Sequence, residues 1–435
     1  MTTTFTVEPG GSLRGELRVP GDKSISHRSI MFGALAAGRT EVAGFLDGED
    51  CLATIAAFQA MGVPIERPSR HAVIIDGVGL NGLRPPSAPL DMGNSGTAMR
   101  LLCGVLAGQA FDSMLVGDAS LSRRPMRRVT EPLAQMGARI DTGVDGTPPL
   151  RIHGNRKLRG HAHTLAVASA QVKSALLLAG LWSEGETCVT EPAPTRDHTE
   201  RMLRGFGYDL RRDGRRACLL GGGRLEACAV EVPADISSAA FFLVGASIAQ
   251  GSDVLLRHVG VNPTRTGVID ILRLMGASID VIDRREIGGE PVADLHVRWA
   301  PLKGIRIPPE LVPLAIDEFP ALFVAAACAE GETVLTGAEE LRVKESDRIQ
   351  VMADGLSAIG VRCEVLSDGI RIEGRESLNG GELSSHGDHR ISMSFAMAGL
   401  RAQGDMVIHD CDNVATSFPG FAELASGAGL GIARS

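Results

Sequence analysis

Aromatic residues are scarce in this chain: only 4% of its 435 residues are aromatic, including 2 Trp and 1 Tyr. Proteins that bind single-stranded nucleic acids stack the bases on aromatic faces, so this scarcity argues against that class. An excess of positive charge is also lacking, since the formal net charge is −8. A general nucleic-acid binder is usually basic, and we therefore expect no nucleic-acid partner.

Long hydrophobic runs are missing as well. The longest nearly apolar stretches, 239–249 and 319–329, are far shorter than the ~18–20 residues that cross a bilayer. The first residues, MTTTFTVEPGG, have neither the basic region nor the apolar region of an export signal. We expect a cytoplasmic protein without a membrane partner.

The eight cysteines form no CxxC pair, and the histidines form no cluster at zinc-ligand spacing. We therefore expect no metal site. In a cytosolic protein the cysteines should be reduced thiols that mostly fill core positions. A composition of 44% hydrophobic and 22% charged residues is typical of a globular protein, and the length suits two large domains or three smaller ones.

An internal repeat is present in the chain. A glycine follows an amphipathic stretch and precedes a β-rich run six times, at intervals of 69 to 84 residues. Glycine directly after an apolar helical stretch is a signal for the end of a helix. The six glycines are Gly62, Gly137, Gly207, Gly276, Gly360 and Gly429.

A second series alternates with the first. Six polar clusters each precede an Ala/Leu-rich stretch, and their Asp, Ser and Asn side chains are typical helix N-caps. Together the two series predict six α/β units of about 70 residues, with three on either side of a break near 232–237. The six clusters begin at Asp22, Asn94, Ser169, Asp235, Asp317 and Asp388.

Such helix starts attract anions, because a helix N-terminus carries partial positive charge and free N–H groups. Cationic side chains accompany several of the starts, and two further cationic segments cover 122–128 and 341–348. On a helix, Lys344 and Arg348 would share one face, with Glu345 beside them. Cations together with a carboxylate suit phosphate binding and a proton transfer.

These residues lie in motifs that resemble the 5-enolpyruvylshikimate-3-phosphate synthase family over nearly the whole chain. The spread and order of the motifs make the resemblance specific. The matching segments are PGDKSISHRS at 20–29, GNSGTAMRLL at 93–102, GDASLSRRPM at 117–126, ASAQVKSALLLAGL at 168–181, RDHTERML at 196–203, NPTRTG at 262–267, IDEFP at 316–320, LRVKESDRI at 341–349 and DHRISMSF at 388–395.

The resemblance implies an α/β fold of two similar domains, each of three βαβαββ units. We expect one domain to cover 21–235 and the other to comprise 1–20 and 236–435, with the active site in the cleft between them. The implied reaction transfers the enolpyruvyl group of phosphoenolpyruvate to the 5-hydroxyl of shikimate 3-phosphate and releases phosphate. It belongs to the shikimate pathway of aromatic amino acid biosynthesis and needs no metal or organic cofactor.

The resemblance also implies the residues that bind the two substrates. Those matched to shikimate 3-phosphate are Lys23, Ser24, Arg28, Ser169, Ala170, Gln171, Arg196, Asp317 and Lys344. Those matched to phosphoenolpyruvate are Lys23, Gly96, Arg124, Gln171, Arg348 and Arg390.

Three residues are candidates for catalysis. The acceptor hydroxyl loses a proton as it adds to the enol ether carbon, and the methylene carbon gains one, giving a tetrahedral intermediate. We assign the hydroxyl proton to Asp317 and the methylene proton to Glu345. Lys23 would assist the departure of phosphate.

The chain departs from the family pattern at several positions. Thr416 lies where many relatives carry a lysine, so one phosphoenolpyruvate contact is in doubt. Glu340 replaces an asparagine of the common type. Gly96 is the residue of many glyphosate-sensitive relatives, and we therefore expect inhibition by glyphosate.

Two alternatives remain open. UDP-N-acetylglucosamine enolpyruvyl transferases share fold and chemistry but use a loop cysteine, whereas Cys103 lies within an apolar helical run. A non-catalytic α/β repeat protein that binds an anionic partner is the alternative from another class. We expect small-molecule substrates as the only partners, and a monomer.

Overall fold

The computed structural model describes residues 3–155 and 157–435. Within these residues the chain forms α-helices and β-strands in alternation, together with short 3₁₀ turns. The helices are α1 (Lys23–Leu35), α2 (Glu49–Ala60), α3 (Gly96–Ala107), α4 (Arg127–Gln135), α5 (Ala170–Gly180), α6 (His198–Gly205), α7 (Ile236–Ile248), α8 (Gly267–Leu274), α9 (Phe319–Ala327), α10 (Arg348–Ala358), α11 (His389–Ala398) and α12 (Phe421–Ala428).

The strands are short, as expected for small sheets covered by helices. They are β1 (Phe5–Val7), β2 (Arg14–Leu17), β3 (Ala36–Ala43), β4 (Ile65–Ser69), β5 (Ala72–Val78), β6 (Leu90–Asp91), β7 (Ser113–Val116), β8 (Arg139–Asp141), β9 (Leu150–His153), β10 (Ala162–Thr164), β11 (Glu186–Thr190), β12 (Leu210–Asp213), β13 (Arg216–Leu220), β14 (Leu225–Glu226), β15 (Ala229–Glu231), β16 (Asp253–Gly260), β17 (Ser278–Ile287), β18 (Glu290–Arg298), β19 (Glu332–Leu335), β20 (Arg362–Val365), β21 (Ile370–Glu373), β22 (Gly381–Ser384), β23 (Met406–His409) and β24 (Ile432–Arg434).

The chain divides into two compact units. The N-terminal unit comprises Gly21–Val232 and Ile287–Glu290. The C-terminal unit comprises the segment that ends at Pro20, together with Pro233–Glu286 and Pro291–Ser435. Each unit has its own hydrophobic core.

The described residues of each unit form three small sheets, and all of them mix parallel and antiparallel pairs except β19-β21-β20, whose pairs are antiparallel. The sheets of the N-terminal unit have the orders β14-β3-β5-β4 with β15 also on β3, β6-β7-β9-β8, and β10-β11-β13-β12. Those of the C-terminal unit have the orders β17-β18-β16-β2, β19-β21-β20, and β22-β23-β1-β24. The predicted fold class, a sixfold α/β repeat arranged as three plus three, is confirmed.

The first helix of each repeat begins at the predicted polar cluster. The N-cap side chains of Asp22, Ser95, Ser169, Asp235 and Asp388 each accept a hydrogen bond from a backbone N–H of the first turn. These bonds satisfy amide groups that have no partner inside the helix. The exception is α9, which begins at Phe319 without a side-chain cap.

The second helix of each repeat ends at the predicted glycine. All six glycines have a positive φ, between 75° at Gly207 and 112° at Gly429. Residues with a Cβ atom rarely adopt this left-handed conformation, whereas glycine adopts it readily. The glycine series therefore marks helix ends for a conformational reason.

The first helices of the repeats are almost wholly buried and form the centre of each core. All 13 residues of α7 are buried, and the 9 residues of α9 are too. In the N-terminal unit α3 and α5 pack so closely that a Cβ atom on Gly104 would lie 2.1 Å from the carbonyl oxygen of Ala175. Close packing of these helices holds their N-termini in place.

The expectation of eight reduced thiols is wrong for one pair. Cys188 on β11 and Cys218 on β13 are directly opposite each other in antiparallel register and form a disulfide bond. Their Cα atoms are 4.1 Å apart, because residues paired across adjacent strands are close neighbours. Sequence spacing could not reveal this pairing, which strand register creates. The other six cysteines are not joined by disulfide bonds.

None of the helices in the described part of the chain is long and apolar enough to span a membrane.

Candidate active site

The start of α1 places Lys23 beside a carboxylate. Asp22 caps the helix by accepting a 2.8 Å hydrogen bond from the Ile25 amide. The Nζ atom of Lys23 donates to Oδ2 of Asp50, on the first turn of α2, at 2.9 Å. The side chain of Lys23 remains 16% exposed, so its ammonium group is held in place but is still accessible to a ligand. Ser24 is partly exposed next to it.

Arg28 lies one turn further along α1 and is buried, with 3% exposure. Its guanidinium donates to Oγ1 of Thr199 at 2.7 Å, to Oγ of Ser174 at 2.8 Å and to the carbonyl oxygen of Ser24 at 2.9 Å. Burial lowers the pKa of Arg28 to about 10, although the carboxylate of Glu200 opposes this effect. The hydrogen bonds of Arg28 thus tie α1 to α5 and α6.

The start of α3 brings two arginines against a glycine. A Cβ atom on Gly96 would lie 3.0 Å from Nη1 of Arg124 and 3.1 Å from Nη1 of Arg100. Arg124 also donates to Oδ1 of Asn94 at 2.7 Å, and Asn94 in turn donates to Oδ2 of Asp118 at 2.7 Å. This pocket of two guanidinium groups next to a helix N-terminus suits a phosphate or carboxylate.

The start of α5 contacts the residues at the start of α3. Gln171 accepts a 2.7 Å hydrogen bond from Arg100 and donates a 2.9 Å bond to Oγ1 of Thr97. Ser169, Ala170 and Gln171 are all partly exposed. The hydrogen bonds of Gln171 therefore connect the N-terminus of α5 to that of α3.

His27 connects α1 to α3. Its ring nitrogens lie 2.8 Å from Oγ1 of Thr54 and 3.4 Å from Oγ of Ser95. Burial, followed by the charges of Lys23 and Arg28, holds the pKa of His27 well below its usual range. The ring is therefore neutral and joins two helices without adding charge. Lys23, Gly96, Arg100, Arg124 and Gln171 are called the helix-start cluster below.

Arg196 lies in the loop between β11 and α6 and is partly exposed. Its neighbours in the loop are anchored on both sides. Thr195 donates its hydroxyl to Glu191, and Asp197 accepts hydrogen bonds from Arg201 at 2.9 Å and Arg212 at 2.7 Å.

Arg348 lies at the centre of the candidate site in the C-terminal unit, with 1% exposure and three carboxylates around it. It contacts Oε2 of Glu345 at 2.6 Å, Oδ2 of Asp388 at 2.8 Å and Oδ1 of Asp317 at 3.3 Å. Burial alone lowers the pKa of Arg348, but the charges of Asp388, Glu345 and Asp317 outweigh that effect and raise it above its ordinary value. The guanidinium therefore stays charged and fixes the three carboxylates.

The prediction that Lys344 and Arg348 share one helix face is wrong. Asp347 caps α10 by accepting a hydrogen bond from the Gln350 amide, so the helix begins at Arg348. Lys344 precedes it in an extended backbone conformation, with a ψ of −149°. The two cations nevertheless meet at Oδ1 of Asp317, because Nζ of Lys344 lies 3.4 Å from that atom. Glu340 lies 3.7 Å from the same ammonium group.

Arg390, on the first turn of α11, donates a 3.0 Å hydrogen bond to the backbone oxygen of Asp317. It also lies 3.8 Å from Glu318, which accepts a hydrogen bond from Ser237 at the start of α7. The starts of α7, α9 and α11 thus converge within the C-terminal unit. Asp317, Lys344, Glu345, Arg348 and Arg390 are called the carboxylate cluster below.

Thr416 is buried at 4% exposure and donates its hydroxyl to the backbone oxygen of Asn413 at 2.6 Å. It supplies no charge, as its residue type predicts. This hydrogen bond closes a short 3₁₀ turn, Asp412–Thr416.

Arg100 of the helix-start cluster, and two carboxylates that contact cluster members, were not selected from the sequence as site residues. Arg100 lies four residues after Gly96 on the same helix, and that spacing is the signal that identifies it. Asp50 and Asp388 are N-terminal helix residues that pair with Lys23 and Arg348. Their sequence pattern indicates capping alone, because the cations that they bind are 27 and 40 residues away.

Comparison with known proteins identifies the class to which this fold and these clusters belong. The EPSP synthase (3-phosphoshikimate 1-carboxyvinyltransferase) family model matches residues 7–424. The 3-phosphoshikimate 1-carboxyvinyltransferase of Alkalilimnicola ehrlichii is 68% identical over 430 residues, which cover 99% of this chain and 96% of that protein. The protein of the same name from Methylococcus capsulatus is 68% identical over 428 residues, covering 98% of each chain.

Solved structures agree with this match. EPSP synthase from Acinetobacter baumannii has a TM-score of 0.89 at 60% identity and full coverage of both chains. The enolpyruvyl transferase NikO from Streptomyces tendae has a TM-score of 0.81 at 17% identity, covering 100% of this chain and 99% of its own, which shows a shared fold alone.

The chain belongs to the EPSP synthase family. The predicted family, enzyme class and reaction, enolpyruvyl transfer to shikimate 3-phosphate in the shikimate pathway, are therefore confirmed.

Proposed function

We propose that phosphoenolpyruvate and shikimate 3-phosphate react by addition and elimination, with binding and catalytic groups supplied by the helix-start cluster and the carboxylate cluster. Neither cluster holds every group that the reaction needs. The N-terminal unit supplies cations and helix N-termini for anions, and the C-terminal unit supplies carboxylates for proton transfer. This division of groups supports a role for both clusters in the reaction.

The acceptor binds mainly through its phosphate. Ser169, Ala170 and Gln171 at the start of α5 offer hydrogen bonds and a helix N-terminus, and Arg196 adds a positive charge. Lys23 and Ser24 reach the same ligand from α1. Arg28 acts indirectly, because its own hydrogen bonds hold α1, α5 and α6 together.

In the carboxylate cluster, Asp317 and Lys344 bind the ring hydroxyls of the acceptor. They lie 3.4 Å apart, so one hydroxyl can contact both groups.

Phosphoenolpyruvate carries a phosphate and a carboxylate, both of which suit guanidinium groups. Arg124 and the N-terminus of α3 at Gly96 provide one such site, next to Gln171 and Lys23. Arg390 provides another. Arg348 is buried among carboxylates, and we propose that it orients them in addition to its predicted contact with this substrate.

The proton transfers follow from the positions of two carboxylates. Asp317, held between Lys344 and Arg348, takes the proton of the 5-hydroxyl as that oxygen bonds to C2 of phosphoenolpyruvate. Glu345, held by Arg348 and protonated from solvent before the addition, gives its proton to C3 and forms the methyl group of the tetrahedral intermediate. Elimination returns that proton to Glu345 as the C–O bond to phosphate breaks, and Lys23 stabilises the leaving phosphate.

The observation that carries the proposal is the joint contact of Asp317 and Glu345 with one buried guanidinium. General acid–base catalysis needs such groups in fixed positions, and it contributes typically 10²- to 10⁴-fold to the rate. Because both carboxylates bind Arg348, their separation is fixed before substrate arrives.

The experiment measures phosphate release from phosphoenolpyruvate with shikimate 3-phosphate as acceptor, checks the product mass, and runs UDP-N-acetylglucosamine in parallel. Turnover with shikimate 3-phosphate alone is expected. Turnover with only the sugar nucleotide, or with neither acceptor from folded protein, would contradict the proposal.

The proton assignment is tested with Glu345→Gln in D₂O. We expect kcat to fall by about 10²-fold or more and deuterium incorporation at C3 to be lost. Glu339→Gln is the control, since Glu339 is an exposed carboxylate on the same segment. Normal deuterium incorporation by Glu345→Gln would assign the step to another residue.

We also propose that the enzyme acts as a monomer in the cytoplasm. Six cysteines without a disulfide bond support a reducing compartment, although the Cys188–Cys218 bond does not. Light scattering of the purified chain tests the oligomeric state, and fractionation of the source cells tests the location.

A further inference from the structure

A fully buried group of charges lies beneath the helix-start cluster and has no role in the reaction as proposed. Lys173 on α5 has 0% exposure, Glu191 has 3% and Glu200 has 1%. Nζ of Lys173 donates to Oε2 of Glu191 at 2.8 Å and lies 2.7 Å from Oε1 of Glu200. These three residues are called the buried charge network.

Burial of charges is costly, and the geometry shows how this network balances them. Each carboxylate faces the same ammonium group, and the charge of buried Arg28 also acts on Glu200. Two cations and two carboxylates therefore neutralise one another in the interior. A buried ion pair of this kind is weak evidence for stability, because apolar residues of similar volume often serve as well. Stability alone therefore does not explain why these charges are buried here.

The position of the buried charge network provides this explanation. Lys173 lies two residues after Gln171 and four after Ser169, on the first turns of α5. Glu191 directly follows β11 and begins the loop that carries Arg196. Its second oxygen accepts the hydroxyl of Thr195, the residue before Arg196. One ammonium group thus links the N-terminus of α5 to the Arg196 loop.

The second carboxylate of the network, Glu200, connects Lys173 to a third element, α6. Glu200 lies on the first turn of α6, immediately after the Arg196 loop, and its neighbour Thr199 donates to Ser174 at 2.8 Å. Lys173 and Ser174, adjacent on α5, therefore hold both ends of the loop. The backbone that carries Arg196 is therefore anchored on both sides by buried contacts.

We propose that Lys173 is a positioning residue that sets the distance between Arg196 and the N-terminus of α5, and so determines the affinity for the acceptor phosphate. This inference rests on the proposed function, in which Arg196 and Ser169 bind that phosphate. It predicts an effect specific to one substrate, because the phosphoenolpyruvate groups on α3 are not held by the network.

The test compares KM values for the two substrates. In Lys173→Met/Glu200→Gln, one cation and one carboxylate are removed together, so no unbalanced charge is left in the interior. We expect the KM for shikimate 3-phosphate to rise about tenfold, as for the loss of one charge-assisted hydrogen bond, with the KM for phosphoenolpyruvate within about twofold of wild type. Lys173→Arg, which keeps the charge, should restore part of the affinity.

The control is Leu177→Ala, one turn further along α5, where a buried apolar side chain is shortened. It should lower the melting temperature without a selective change in either KM. If the double variant behaves like Leu177→Ala, Lys173 has a structural role only and the inference is wrong.

Calorimetry with shikimate 3-phosphate alone provides a readout that does not depend on turnover, and binding by the double variant should weaken by the same factor. Wild-type protein that neither binds nor converts shikimate 3-phosphate would instead overturn the proposed function. The two failures are therefore distinguishable.

Discussion

Arg348 and Asp388 are 40 residues apart in the sequence and form a hydrogen-bonded ion pair, with Nε to Oδ2 at 2.8 Å. Their side chains are 1% and 0% exposed. Asp388 also caps α11 by accepting a 3.0 Å bond from the Arg390 amide. One carboxylate therefore fixes a buried guanidinium and the helix that carries Arg390.

Replacing Asp388 by Asn should destabilise the protein strongly. Asn is an equally good helix cap, so the change mainly removes the most deeply buried of the three carboxylate charges around Arg348. Breaking a buried pair typically costs about 3–5 kcal/mol, which urea unfolding would measure. Asp347→Asn is the control, since its pair with Arg342 is partly exposed and should be worth under about 1 kcal/mol. Equal losses for both variants would contradict the prediction.

An alanine at position 96 should weaken binding of phosphoenolpyruvate. Its methyl group would lie 3.0 Å from Nη1 of Arg124, which is closer than ordinary contact, so the guanidinium must shift. We expect the KM for phosphoenolpyruvate to rise about tenfold, with the KM for shikimate 3-phosphate unchanged.

Glyphosate inhibition of the same variant provides a second measurement. The wild type should be inhibited, and Gly96→Ala should be less sensitive, because the methyl group crowds a ligand longer than phosphoenolpyruvate. A wild type that resists glyphosate well above the working phosphoenolpyruvate concentration would contradict the expectation.

His163 should make the fold sensitive to mild acid. It lies on β10 with 5% exposure, and burial, together with the nearby ring of His161, lowers its pKa to about 4. The unfolded chain takes up this proton near pH 6.5, whereas the folded chain does so only near pH 4. The contribution of His163 to stability should therefore be constant above about pH 6.5 and fall between 6.5 and 4, by about 3 kcal/mol in total.

Urea unfolding at pH 7 and pH 5 tests this expectation. His163→Leu should lose less stability over this interval than the wild type, and the remaining slope includes His27, whose pKa is also lowered. His71→Gln is the matched control, because His71 is exposed and is not among the groups that act on His163. An unchanged pH dependence in His163→Leu would remove His163 as the cause.

The disulfide makes a direct prediction about thiol number. Under denaturing conditions without reductant, six thiols should react with an alkylating agent, and all eight should react after reduction. Intact mass measurement counts them. Eight reactive thiols in the protein before reduction would show that Cys188 and Cys218 are not joined.

The local features of the fold were predictable from the sequence because they depend on single residues. A polar side chain can cap a helix start, and a glycine can adopt the left-handed conformation at a helix end, whatever surrounds them. These two series located the helices of all six repeats. Among the first helices of the repeats, α9 is the one that begins without a side-chain cap.

The family motifs predicted which residues to examine, but the partners of those residues required the structure. Lys344 illustrates the difference, since the sequence suggested a helix face shared with Arg348. In the structure the helix begins only at Arg348, after its N-cap Asp347, and the two cations come together at Asp317.

The sequence by itself determined the repeat, the helix ends marked by glycine, most of the polar helix starts, the family and the residue types of the clusters. Only the tertiary structure decided that Arg348 pairs with Asp388, that Lys173 pairs with Glu191 and Glu200, and that Cys188 meets Cys218. Capping and turn preferences act over a few residues, so a sequence pattern records them. Burial of a charge and the register of a strand depend on segments far apart in the chain, which come together only when the core packs.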